Sequence, residues 1–300
     1  MSENSSIEWT DSTWNPIRAR RLDTGKVGWH CVKVSEECDN CYAAAMNLRC
    51  NAEGTKGIGT GHPYHQTSEP LIEIFLDQEV LEAPLKWKRP RKIFVCSMTD
   101  LFGHFVPGQM IDQVYAMMAL ANWHTYQVLT KRPSARLLWA TKERATTAFF
   151  GSKPFAKDQV FNWAVNHWAW KEQPFRWPLP NVWEGVTAGT QRRLEQRGPT
   201  LAETPAAIRF ISYEPALGPL DFGAVAGPVH FLRTIDWVIS GSESGTRRRP
   251  SELDWFRSVA RQCELSGVAH FHKQRWVEGH LVSLPEIDGR IYAEFPRVAW

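Results

Sequence analysis

Past residue 90 the chain alternates short apolar runs that stop on polar residues with longer stretches whose apolar positions recur at helical spacing. The run KIFVCSMTD (92–100) has the near-continuous apolar character of a buried strand. In VPGQMIDQVYAMMALAN, Ile111, Val114, Met118 and Ala121 share one helical face, with Pro107 near the start. HTYQVLTKRP (124–133) predicts a second strand stopped by Pro133, and SARLLWATKER a second helix. NVWEGVTAG (181–189), AIRFISYEP (207–215), IDWVISGSESG (235–245) and AHFHKQ (269–274) predict further strands, the last closing the series. RRLEQRGPTLAET predicts a helix after the first of these. Another helix is expected to open at Ser251 as N-cap, to place Phe256, Val259, Ala260 and Cys263 on its apolar face, and to end at Gly267. Strands alternating with helices imply a parallel sheet with right-handed crossovers, open or rolled into a barrel.

The strand ends carry the chemistry. The apolar runs finish at Thr99 and Asp100, at Thr130 and Lys131, at Thr187, at Glu214, at Ser240 to Glu243, and at His272 and Lys273. Any one of these residues reads as a cap or a turn. Together they predict an active-site rim, because α/β folds build their sites at the carboxyl ends of the strands. Two segments interrupt the rhythm. Residues 50–70, with His62 and His65 in GHPYH, read as a loop with a proline turn rather than as metal ligands. Residues 146–180, dense in Phe and Trp, read as an insertion that fills its own core; a lid or a stacking surface for bases is the alternative.

Composition narrows the class. With 300 residues, 43% hydrophobic and 22% charged, the chain falls in the soluble globular range and can bury a sizeable core. No apolar run is long enough to span a bilayer, and the first residues lack the apolar stretch of a secretory signal. A cytoplasmic protein is expected, in which disulfides are rare. The net charge of +3 does not mark a nucleic-acid binder. The runs Arg18, Arg20, Arg21 and Arg247, Arg248, Arg249 read either as solvated surface or as phosphate contacts.

Three of the six cysteines, Cys31, Cys38 and Cys41, fall within eleven positions as Cys-x6-Cys-x2-Cys. Closely spaced thiols in a reducing compartment favour metal over disulfide. A structural zinc site needs four ligands, and Cys50 or His30 could supply the fourth. Alternatively, three thiolates hold a [4Fe-4S] cluster and leave one iron open. Cys96, inside an apolar strand, and Cys263 are expected in the core.

The motifs IEWTDSTWNP (7–16), VSEECDNCYA (34–43), VCSMTDLF (95–102), YQVLTKRP (126–133), RFISYEPALGPLD (209–221), DWVISGSESG (236–245) and HFHKQRW (270–276) occur in that order. This series resembles the phage gp thirty-seven/sixty-eight family, a radical-SAM-like group of unknown function, and the CDNCYA tail is similar to that of spore photoproduct lyase-type proteins. The resemblance implies one domain over 1–300, with the cysteine loop at 30–45 and the insertion at 146–180. It implies a partial (βα)6-type TIM barrel of the radical SAM kind. It further implies a [4Fe-4S] cluster on Cys31, Cys38 and Cys41, S-adenosyl-L-methionine (SAM) on the open iron, and reductive cleavage to a 5′-deoxyadenosyl radical.

A reductant such as flavodoxin or ferredoxin would supply the electron. The phage association suggests a nucleotide or DNA base as substrate, in hypermodification or repair. Tyr42, Ser97, Thr99, Asp100, Thr187, Ser240, Gly241 and Glu243 are then expected to contact the cofactor. Lys131, Glu214, His272 and Lys273 are expected to bind substrate or move protons, and Arg247 to Arg249 to meet nucleic-acid phosphates. Buried ion pairs among the same groups, Lys131 with Glu214 for instance, are the plain alternative. The competing functional class is a zinc-containing nucleic-acid-binding protein without catalysis. Two departures from the family pattern stand out: a long IRARRLDTGKVGWH link before Cys31, and SGSESG with Ser242 where glycine is usual.

Overall fold

The computed structural model describes residues 5–49, 59–141, 160, 164, 176–227 and 229–297. Its strands are β1 (Ser12–Trp14), β2 (Ile17–Arg21), β3 (Val27–Gly28), β4 (Ile72–Leu76), β5 (Lys92–Val95), β6 (Thr125–Thr130), β7 (Val182–Thr187), β8 (Ile208–Tyr213), β9 (Trp237–Gly241), β10 (Ala269–Val277) and β11 (His280–Ser283). Eight of them form one sheet in the order β1-β5-β6-β7-β8-β9-β10-β11; β3-β2-β4 form a small antiparallel sheet. Every pair of the large sheet is parallel except β10 with β11.

The barrel expectation is therefore corrected. The molecule is an α/β protein whose mixed, mostly parallel sheet curls into a half-barrel, not a (βα)6 TIM barrel. Helices Gly108–Leu120, Pro133–Thr141, Gln191–Glu203 and Leu253–Ser266 do fill four crossovers. Between β8 and β9, however, the described chain makes only short 3-10 turns, Phe222–Ala224 and Phe231–Thr234. The series does not end at β10 either. Glu278 and Gly279, both at positive φ (47° and 82°), form the two-residue turn of a β-hairpin. That turn sends β11 back antiparallel along the sheet's edge, and among the described residues β11 does not pair with β1.

Side-chain alternation sorts the sheet into two faces. The outer face, including Ile93, Val95, Tyr126 and Val128, packs with Ile111, Val114, Met118 and Ala121 of Gly108–Leu120. Farther along, Val186, Ile211, Tyr213 and Val238 pack with Phe256, Val259, Ala260 and Cys263. The inner face carries Phe94, Leu129, Trp183, Phe210, Trp237, Ile239 and Phe271, with Trp9 from the N-terminal segment inserted among them. Trp9 lies 4.8 Å from the Phe94 ring and 6.2 Å from Trp237. Each such ring contributes about 1.5–3 kcal/mol of burial. These side chains form the floor on which the cavity at the carboxyl ends of the strands rests, with Trp9, Phe94 and Leu129 in its lining.

Two local expectations shift. Ser251 does not cap the last helix; Glu252 holds the N-cap position, and the Ser251 hydroxyl pairs with Ser242 Oγ at 2.6 Å. Gly267 does end that helix, at φ 68°. The 146–180 insertion lies outside the described residues except for isolated positions and 176–180, where Trp177 packs against the outer-face core. No described helix is long and apolar enough to cross a membrane.

Candidate functional site

A cavity of about 850 Å3 lies at the carboxyl ends of the strands, roofed by the cysteine loop. Its volume is that of a small-molecule or cofactor site. Cys31, Cys38, Cys41, Tyr42, Ser97, Thr99, Asp100, Lys131, Thr187, Glu214, Glu243 and Lys273 all line it. These come from segments as far apart as Cys31 and Lys273, which the sheet brings together.

Ser240, Gly241, His272 and Arg247 to Arg249 do not line it, and alternation gives the reason for Ser240 and His272. On β9, Trp237 and Ile239 face inward, so Ser240 faces outward. There its hydroxyl is shared by His270 Nε2 (2.8 Å) and His272 Nδ1 (2.9 Å), behind the sheet and against Phe256. Gly241 faces inward but lies beneath Glu214 and Gln274, 3.5 Å from where a Cβ would sit. The register of β10 slips between His272 and Gln274, and this bulge lets both Lys273 and Gln274 reach the cavity. Arg249 is spent on Glu243 at 2.6 Å, Arg248 stacks over Trp276 at 3.4 Å, and Arg247 is exposed at the rim.

The cysteine loop is held from three sides. Arg193 grips Glu36 (2.6 Å), and Arg197 reaches Glu37 (3.0 Å); both arginines project from helix Gln191–Glu203. Arg193 holds the Glu36 carboxyl down at about 2, chiefly through their hydrogen bonds. Glu37 also accepts from the Gly189 amide. On the far side Asn40 donates to Glu243 Oε2 (2.9 Å) and to the Arg247 carbonyl (2.8 Å). Glu243 is thus a loop anchor, and the hydrogen bonds from Arg249 and Asn40 keep it ionised against its burial. Near Cys31, Thr99 donates to the His30 carbonyl (2.5 Å), and Arg132 bridges Asp100 (2.9 Å) and the Val32 carbonyl (2.6 Å). Asp100 also accepts from Thr130 Oγ1 and from the Phe102 and Lys131 amides. Thr99 and Asp100 therefore build the wall that places Cys31. The hydroxyl of Tyr42 donates to the Ser97 carbonyl (2.8 Å).

Charge surrounds the thiols. Burial pushes the Cys31 thiol up to about 12; Asp100 adds to the rise and Arg132 opposes it. Burial pulls the Lys131 ammonium down, yet Cys38, Cys41, Glu37 and Asp100 together hold it above its ordinary range. The anticipated Lys131–Glu214 pair does not form: Glu214 is bound by Lys273 at 2.5 Å instead. Cys96 borders the cavity and belongs to the outer-face core, while Cys263 is fully buried on the apolar face of the last helix. Of the two fourth ligands a zinc site would call on, Cys50 lies outside the described residues. His30 does not line the cavity; its ring packs on Phe105 at 4.8 Å, with Nε2 3.9 Å from Glu69. Among the described residues no three His, Cys, Asp or Glu side chains are gathered closely enough to hold a metal as they stand.

Arg132, Arg193, Arg197, Asn40 and Gln274 escaped the sequence reading. For Arg193 and Arg197 a signal existed: two arginines four apart on a helix, matched by the adjacent acids Glu36 and Glu37 in the cysteine loop.

The fold and site thus define an α/β half-barrel protein with a thiol-bearing cavity at its strand ends. A family model described as a protein of unknown function (DUF5131) matches residues 4–296, and the chain belongs to that family. No curated protein and no solved structure matches it.

Proposed function

We propose that the cavity is a radical SAM site in which Cys31, Cys38 and Cys41 hold a [4Fe-4S] cluster and SAM binds beside it, acting on a nucleic-acid base or nucleotide. The observation that carries this reading is that all three thiols, from one loop clamped by arginines, line a single cavity at the strand ends. The donor set fits such a group: three soft sulfur ligands, with Lys131 and Arg132 to offset the charge that three thiolates bring. Because Cys31 is protonated as it stands, iron binding would displace its proton. When bound, the cluster supplies the electron that cleaves SAM.

The chain's own residues orient and shield. Arg193, Arg197 and Arg249 fix the loop, Asp100 and Arg132 set its entry to Cys31, and the inner-face aromatics close the floor against water. Lys273 and Glu214, paired in the cavity lining, stand where they can exchange a proton with a substrate. The resemblance to the phage gp thirty-seven/sixty-eight group supports the nucleic-acid assignment, and a cytoplasmic setting with a flavodoxin- or ferredoxin-type reductant suits free thiols. Metal analysis after anaerobic reconstitution tests the assignment. About four irons per chain are expected, lost in Cys31→Ala, Cys38→Ala and Cys41→Ala and retained in Cys263→Ala. A single zinc and no iron would replace this reading with the zinc-binding one.

A further inference from the structure

Across the ends of β6, β7 and β8, three donors face the cavity without a side-chain hydrogen bond or ion pair among the described residues. Lys131 follows Thr130, whose register partner is Val186; Thr187 follows Val186 and is the register partner of Ser212. The three therefore stand on adjacent strands, backbones roughly 5 Å apart, and all line the cavity. Most other charges of the lining are already matched: Asp100 with Arg132, Glu37 with Arg197, Glu243 with Arg249, Glu214 with Lys273. The Lys131 ammonium feels the field of Cys38, Cys41, Glu37 and Asp100 without bonding to them; beyond the strand ladder Lys131 bonds through its backbone amide, toward Asp100, and Thr187 through its carbonyl, toward Arg197. Thr187 and Ser212 are 1% and 2% exposed, so what surface they keep opens to the cavity. An ammonium and two hydroxyls on adjacent strand ends, none of them in a side-chain hydrogen bond or ion pair among the described residues, leave three donors free to meet a ligand in the cavity.

We propose that Lys131, Thr187 and Ser212 form an oxyanion site that takes the phosphate monoester of a nucleotide substrate. Three donors on three strands suit the three terminal oxygens of a phosphoryl group, and a lysine serves it as a point charge. The proposal rests on the reading of the cavity as a nucleotide-modifying site, but not on the cluster. The methionyl carboxylate of SAM is the other oxyanion such a row could hold, and one titration series separates the two.

Calorimetric titration of the full chain would compare the four deoxynucleoside 5′-monophosphates with their nucleosides, and SAM with 5′-methylthioadenosine. At least one monophosphate is expected to bind about tenfold more tightly than its nucleoside. Lys131→Met should erase that difference and leave the nucleoside unchanged, and Lys131→Arg should restore part of it. The double variant Thr187→Val, Ser212→Ala, with an unchanged melting temperature, should reduce it several-fold. Equal binding of monophosphate and nucleoside overturns the proposal, as does a difference that survives Lys131→Met. Weakening of SAM alone by Lys131→Met moves the site to the carboxylate and overturns the phosphate assignment. Iron content, measured on the same variants, reports on the cluster separately.

Discussion

Glu37 and Arg197 are buried against each other beneath the cysteine loop, 4% and 5% exposed, and each has a second tie, to the Gly189 amide and the Thr187 carbonyl. Removing one partner strands the other charge. Arg197→Met is expected to cost about 3–5 kcal/mol in urea unfolding, and a loss under 1 kcal/mol, the scale of an exposed pair, would contradict the assignment. On the outer face, burial holds His270 and His272 at about 3, far below the roughly 6.5 of an unfolded chain. Their folded-state values are depressed, so as pH falls the unfolded chain takes up protons first. Their contribution is whole above about pH 6.5 and drains away as pH falls toward 3. Urea midpoints should therefore drop from pH 7 to pH 5, and drop less in the double variant His270→Asn, His272→Asn; equal drops would refute this. The two histidines also mark a limit of reading strand ends from sequence. A polar residue at a strand terminus signals the rim only when its parity points inward. Lys273 does, and Ser240 and His272, each one position off it, do not.

Inner-face packing depends on a glycine between two strands. A Cβ on Gly185 would lie 2.3 Å from Phe210 Cζ, so the Phe210 ring covers β7 only because that position is bare. Gly185→Ala should destabilise the protein by about 1–3 kcal/mol, and Phe210→Leu in the same chain should recover part of the loss, as a thermal melt would show; additive losses would mean no contact. The loop clamp makes a second prediction at this scale. Replacing Arg193 and Arg249 together by Gln should speed amide hydrogen exchange across residues 36–41 while helix Leu253–Ser266 stays protected. Uniform acceleration would indicate global destabilisation instead. The parallel strands and crossover helices from residue 92 to β10 were legible because each is long enough to show its period, and observed bounds such as Gly108–Leu120 and Ile208–Tyr213 fall inside the predicted stretches. The slip in β10 was not, since a bulge changes pairing without changing composition.

Over the whole molecule, the sequence rhythm conveyed parallel strands and a site at their carboxyl ends, but not closure. Whether a sheet closes depends on its two edges, and both are short elements without a local signature: β1 has three residues, and β11, entirely exposed, has four. The small sheet β3-β2-β4 escaped for the same reason; β2 pairs with β4 about 55 residues downstream, a choice made by tertiary contact. The cysteine trio was visible from spacing alone, whereas the arginines that hold its loop act across about 155–215 residues. That clamp is what turns three nearby cysteines into one wall of a cavity. The most direct test is release of 5′-deoxyadenosine from SAM by the anaerobically iron-loaded protein under dithionite, compared with Cys31→Ala, Cys38→Ala and Cys41→Ala. The account predicts release by the native chain and none by any of the three variants. An iron-loaded native chain that binds SAM and leaves it intact, or variants that release as much, would contradict it.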